Sequence, residues 1–421
     1  MPGLDIGKAP ANSVVLPFYA AGALAFLVLT TLMLLSAFPL LGGYFNPHIL
    51  AIVHTAALGW GSMVIFGAAY QLLPVICEND LWHEGIAKVS FYFLILGAAF
   101  LVVCFWFFTT GLWMILGGSL VFVAAVLFLC NVLKTASGGK PFNVQKLFIV
   151  SSAVWLLLTV SIGILLAVNL RWPYISVNHL HILTLHAHAG LVGWFLQLIV
   201  GVSAKLVPMF LLGKSKKDNL LKTAFIFQNT GLVLLLLDGF FFGPGWRYLV
   251  YGLLVVIGIV FWLLYLRDVC RHRIKKPLDF SMKHTFLSFL SLLVAIAFVP
   301  VVWFGNSQKW AMLYGLFIFV GWISSLILGM TFKTLPFIVW NSKYKMLNGK
   351  AKIPLPRQMY WHKLLSVQFW IFVAGLYIIA LSLIFEARLP LQIGLGLMWL
   401  TALIYVSNIL KVLTHKTVIL D

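Results

Sequence analysis

The residues best equipped for chemistry in this chain are its histidines, and they are not spread evenly. His48 and His54 occupy one stretch, and His179, His181, His186 and His188 another. Neutral imidazole is a common ligand for heme iron and copper, and an ionisable side chain inside an apolar segment is costly unless it binds something or lines a cavity. Helix geometry divides the second group. At about 100° per residue, His181 and His188 share a face but stand about 10 Å apart along the axis, too far for both to reach one ion directly. His186 and His188 differ by about 200° and point to nearly opposite sides, so one of them faces the interior. His54, His188 and His186 are therefore candidate cofactor ligands, and His181, His186 and His188 candidate metal ligands. A packed, hydrogen-bonded histidine is the alternative for each. His48 and His179 suit an interfacial zone of water and headgroups. His83, His272, His284, His362 and His415 fall beside basic loops, whose solvation accounts for them.

The elements that hold these histidines must be membrane helices. Of 421 residues, 62% are hydrophobic and 9% charged, against about a quarter charged in a soluble domain. Apolar runs fall at 15–40, 47–76, 86–109, 112–134, 145–169, 181–212, 219–241, 247–267, 284–304, 309–340, 362–386 and 389–413. Each is long enough to cross about 30 Å of hydrocarbon at about 1.5 Å per residue, and none alternates like a barrel strand. The expectation is an all-α protein of twelve transmembrane helices. The first apolar run suits a retained helix better than a signal peptide. With the N-terminus inside, every one of the 29 Lys and Arg except Arg171, Arg247, Lys309 and Arg388 falls on the inner side. Both termini are then cytoplasmic, and the membrane is a bacterial inner membrane. The net charge of +19 is accounted for by this topology and by contact with anionic lipids, with no nucleic acid partner. Four cysteines, Cys77, Cys104, Cys130 and Cys270, form no CxxC and no disulfide framework.

A repeat runs through the second, sixth and tenth spans. Gly59/Trp60, Gly67 and Pro74 recur at identical spacing as Gly193/Trp194, Gly201 and Pro208, and again as Gly321/Trp322, Gly329 and Pro336. An equivalent helix at every fourth span implies three pseudo-symmetric four-helix units, at approximately 13–142, 143–280 and 281–415, within a single membrane domain covering 1–421. The paired glycines permit close approach of a helix or cofactor, and the proline frees a carbonyl or helps end the helix. His54 and His188 occupy the same repeat position, whose third occupant is Leu316.

At these motifs the chain resembles the heme–copper oxidase subunit I superfamily. VHTAALGWGSMVIFG resembles that family's second helix, whose histidine binds the low-spin heme, and LTLHAHAGLVGW resembles its sixth-helix region, which contributes a copper-site histidine. The HAH arrangement is also similar to the NnrS-like heme–copper membrane proteins. The resemblance implies heme of type b at His54, a metal or second heme at His188 or His186, copper as a second cofactor, and a redox or O2/NO-handling activity. It also implies an electron-donor protein or quinol as partner, and a homo-oligomer or respiratory complex. The departures are specific. The span from Lys309 to Trp340 has no histidine, the seventh span lacks paired histidines, and no His-x3-Tyr follows His186 or His188. The full binuclear-centre ligand set is missing.

Five further polar residues lie within or beside spans. Asp238 and Glu386, near outer ends, could take up protons or hydrogen-bond a liganding histidine, or simply be solvated. Lys205 and Lys333 share a repeat position with Gln71 and could snorkel to headgroups, or serve a proton path or anion site, with Tyr70 a weaker candidate of the same kind. A metal-ion or proton transporter on the same scaffold, and a non-catalytic accessory subunit, are the competing readings. No P-loop, GxSxG, HExxH or GxGxxG in its required context is present.

Overall fold

The computed structural model describes residues 9–43, 45–138, 143–305 and 307–419, so Lys8 and Lys140 lie outside the described residues. Among the described residues, twelve helices are long and apolar enough to cross a membrane: α1 Asn12–Leu35, α2 Pro47–Cys77, α3 Glu84–Trp106, α4 Leu112–Ser137, α5 Val144–Arg171, α6 His179–Leu211, α7 Asp218–Phe242, α8 Arg247–Arg271, α9 Phe280–Phe304, α10 Gln308–Leu347, α11 His362–Phe385 and α12 Arg388–Leu413. This is a multi-pass, all-helical membrane protein. Large apolar side chains such as Phe241, Phe242 and Phe304 stand on its surface, as expected where lipid rather than water is the solvent. The first span ends earlier than its apolar run. Ser36 closes α1, and Pro39 opens a separate 3-10 turn over Pro39–Leu41.

The described residues fall into two compact bodies, one within 11–68, 98–109 and 278–421, the other within 9–10, 69–97 and 110–277. In the first, Trp60 is fully buried, stacked on Phe26 at 4.5 Å and met edge-on by Tyr405 at 5.4 Å, while its Nε1–H donates to Ser324 at 3.0 Å. In the second, Trp194 is buried against Phe128 at 5.6 Å, and Phe128 also meets Tyr70 at 5.5 Å.

The repeat extends to the helix that precedes each motif. A methyl placed on Gly67 would lie 2.7 Å from Cβ of Phe18, on Gly201 2.8 Å from Cβ of Phe148, and on Gly329 2.9 Å from Cβ of His284. Seven residues further along the preceding helix the first glycines repeat the pattern. Gly59 faces Ala25 at 3.3 Å, Gly193 faces Trp155 at 2.6 Å and Gly321 faces Ser291 at 2.7 Å. Thus α1 on α2, α5 on α6 and α9 on α10 pack in one register, with glycines where backbones approach closest. The three repeated spans are also more buried than the other nine spans of the described residues. The prolines do not stop their helices at once. α2 and α6 run on to Cys77 and Leu211, where the N–H groups of Asn79 and Gly213 return to the carbonyls of Pro74 and Pro208, and α10 continues well past Pro336.

Candidate functional site

Each repeated span changes its backbone winding at the same place. α2 becomes π-helical over Thr55–Ser62, α6 over Ala189–Leu196 and α10 over Phe317–Ser324. The residue immediately before the switch is His54, His188 and Leu316 in turn. Widening the hydrogen-bonded ring from i−4 to i−5 inserts a residue and re-aims the side chains before it relative to the glycines after it. Such segments are rare and concentrate at functional sites. Three of them in one register, with Gly-Trp inside each, make this a feature of the fold itself.

The two histidines are fixed in the same way. His54 Nδ1 lies 2.8 Å from the carbonyl of Leu50, and His188 Nδ1 lies 2.8 Å from the carbonyl of Thr184. A carbonyl only accepts, so Nδ1 carries the hydrogen and the lone pair is on Nε2 in both rings. That arrangement orients an imidazole to coordinate through Nε2. His54 also lies against Phe105, with ring centroids 4.3 Å apart. Both rings are half-buried, whereas Leu316 at the third repeat position is buried. Asn46 and Asn178 start the two helices by accepting from the N–H groups of Ile49 and Leu180.

His186 behaves differently. Its Nδ1 donates to the carbonyl of Thr159 on α5 at 2.9 Å, and the ring packs over Gly163 of that helix. His186 and His188 therefore diverge as the 200° spacing requires. His181 is half-buried in the first turn of α6. Among the described residues, no three His, Cys, Asp or Glu side chains gather as a metal-holding set. His48 and His179 make protein contacts. His48 sits 3.0 Å from Ser36 Oγ and 4.1 Å from the Trp106 ring, and His179 lies 3.2 Å from Asn169.

The acidic candidates pair with basic side chains. Asp238 accepts from Arg247 at 2.9 Å, and Glu386, which ends α11 in the left-handed conformation, lies 3.4 Å from Lys309. Lys333 pairs with Asp279, the N-cap of α9, while Lys205 is exposed. Tyr70 is fully buried, with its hydroxyl 2.8 Å from Ser90.

Two polar sites escape a reading by position. In the second body Trp155 Nε1–H and Ser151 Oγ–H donate to Asn229, whose amide donates to Gln197, which in turn donates to Gln228. Their signal was the presence of amides in otherwise apolar spans. His284 is not solvated by a basic loop: it is fully buried, between Ser325 and the rings of Phe369 and Phe372. Packing against α11 overrides its closeness to the lysines around the start of α9.

No family model and no curated protein sequence matches this chain. Among solved structures it is similar to a heme-copper terminal oxidase, determined as a dimer by cryo-EM, with a TM-score of 0.70 over 97% of this chain and 85% of that one. Sequence identity is 10%, so the likeness is one of fold. The twelve-helix arrangement is that of a heme-copper oxidase.

Proposed function

We propose that this protein is a heme-binding membrane protein with a redox or O2/NO-handling role, in which His54 is an imidazole ligand to heme iron and His188 a ligand to a second heme. The observation that carries the reading is the matched fixing of the two rings by their own i−4 carbonyls, each at the head of a π-helical segment. The donor set fits the group. A neutral imidazole with its lone pair on Nε2, half-buried in an apolar span, suits the iron of a b-type heme, and His54 and His188 each supply one. Bound heme would supply reversible one-electron chemistry. The protein's own residues orient the rings, set their tautomer and keep water away. An electron-donor protein or quinol in a bacterial inner membrane would complete the role.

The oxidase-like fold supports the same reading. The lack of histidine across the described part of α10 and α7 sets this chain apart from a complete heme–copper centre. Copper at His181, His186 and His188 is the lesser reading, because those side chains do not gather with one another. The test is heme stoichiometry by pyridine hemochrome on protein expressed with ample heme. At least one heme per chain is expected, with loss in His54→Ala and in His188→Ala and retention in His181→Ala. Wild-type protein free of heme, carrying copper or zinc instead, would select the transporter reading.

A further inference from the structure

Where the first two repeats place Phe18 and Phe148 beneath the second glycine, the third places His284. All three side chains are fully buried. The fold therefore fills this position with an aromatic hydrocarbon twice, and a histidine here is not a packing requirement. Ser325 Oγ–H donates to the carbonyl of His284 at 2.9 Å, so the same oxygen accepts from His284 Nδ1–H at 3.2 Å. The imidazole lone pair is then on Nε2, and Nε2 is buried with no hydrogen-bond partner. Phe369 and Phe372 of α11 flank the ring at 5.0 and 5.4 Å between centroids. Gln368 precedes Phe369 and lies one turn before Phe372 on the same buried face. It is fully buried, and both its amide oxygen and its amide nitrogen lack partners.

We propose that His284 and Gln368 form a buried binding site for internal water in the third repeat. Two unsatisfied acceptors and one unsatisfied donor complement a water molecule, which can donate two hydrogen bonds and accept others; buried waters characteristically take about three such partners. The imidazole would accept a hydrogen from the water at Nε2, while the Gln368 amide would donate to it or accept from it. One turn back on α9, Ser281 is also buried and shares a hydrogen bond with Tyr360, and Asp279, the N-cap of that helix, pairs with Lys333. The site is independent of heme binding at His54 and His188.

The test is radiolytic hydroxyl footprinting of the full-length protein in nanodiscs, which labels side chains beside bound internal water. Phe369 and Phe372, which flank His284, should be modified severalfold faster than Phe18 and Phe148, the apolar occupants of the His284 position in the other two repeats. In His284→Phe and in Gln368→Leu, each checked for a monodisperse peak and a cooperative thermal transition, the rate should fall to that of Phe18 and Phe148. Wild-type rates at Phe369 and Phe372 no higher than at Phe18 and Phe148 would overturn the proposal. So would rates unchanged by Gln368→Leu, a variant that leaves the glycine–histidine packing intact.

Discussion

Replacing the first glycine of each repeat by alanine probes how closely the paired helices approach. At Gly193 the new methyl would lie 2.6 Å from both Cβ and Cγ of Trp155 and 2.9 Å from Cδ2. The indole cannot swing aside freely, because its Nε1–H donates to Asn229 at 2.8 Å. Overpacking of this kind costs about 1–3 kcal/mol, and loss of the indole hydrogen bond adds about 1 kcal/mol. Alanine returns up to about 1 kcal/mol of helix propensity. The net expectation for Gly193→Ala is a destabilisation of about 1–3 kcal/mol. At Gly321 the methyl meets Ser291 Cβ at 2.7 Å and Oγ at 2.8 Å, of which only the hydroxyl can turn. Gly321→Ala should cost about 1 kcal/mol. At Gly59 the neighbour is Ala25 Cβ at 3.3 Å, which a shift of a few tenths of an ångström relieves, leaving that variant within about 0.5 kcal/mol of neutral. Gly252→Ala, where a methyl meets nothing within 4 Å, is the control. Equilibrium unfolding in detergent micelles reads the series. Gly193→Ala as stable as Gly252→Ala, or an order other than Gly193, Gly321, Gly59, would refute the close-approach argument.

The amide network predicts that Asn229→Leu destabilises by about 1–2 kcal/mol, because Trp155 and Gln197 lose partners in an apolar span. A double-mutant cycle with Trp155→Phe should then give a coupling of about 0.5–1.5 kcal/mol by the same unfolding assay, and additive effects would sink the idea. At the C-terminus His415 Nε2 lies 2.8 Å from the Tyr344 hydroxyl, and the Lys343 ammonium donates to the His415 carbonyl. Burial, then Lys343 and Lys411, hold the His415 pKa below the usual value. The undocked segment therefore binds more protons than the docked one as pH falls below about 6.5, and docking weakens on acidification and is restored above it. The protection factor for hydrogen exchange over 414–419, taken against the intrinsic rate at each pH, should fall between about pH 7 and pH 5 in wild type and lose that dependence in His415→Gln.

The sequence displayed much of this architecture because membrane helices are written in long apolar runs and the repeat in residues that few positions tolerate. Gly59, Gly193 and Gly321 are legible as repeat markers since a methyl there meets another helix. The orientation of His186 away from His188 followed from helix geometry alone, and the structure ties His186 to α5. Other features were not legible for physical reasons. No residue type encodes the change to i→i+5 bonding, so the π-helical segments behind His54 and His188 had no signature. The burial of His284 depends on Phe369 and Phe372, far along the chain, which local charge cannot report. The end of α1 at Leu35 depended on Ser36 and Pro39 interrupting an otherwise apolar run.

The central claim is that His54 and His188 are held to offer Nε2 to iron. It is tested most directly by pulsed electron paramagnetic resonance on heme-loaded protein grown with histidine carrying nitrogen-15 at Nε2 alone. Strong coupling of the ferric iron to that nitrogen, diminished in His54→Ala and in His188→Ala, is the predicted result. A heme signal without histidine Nε2 coupling, or one that both alanine variants leave unchanged, would contradict the account.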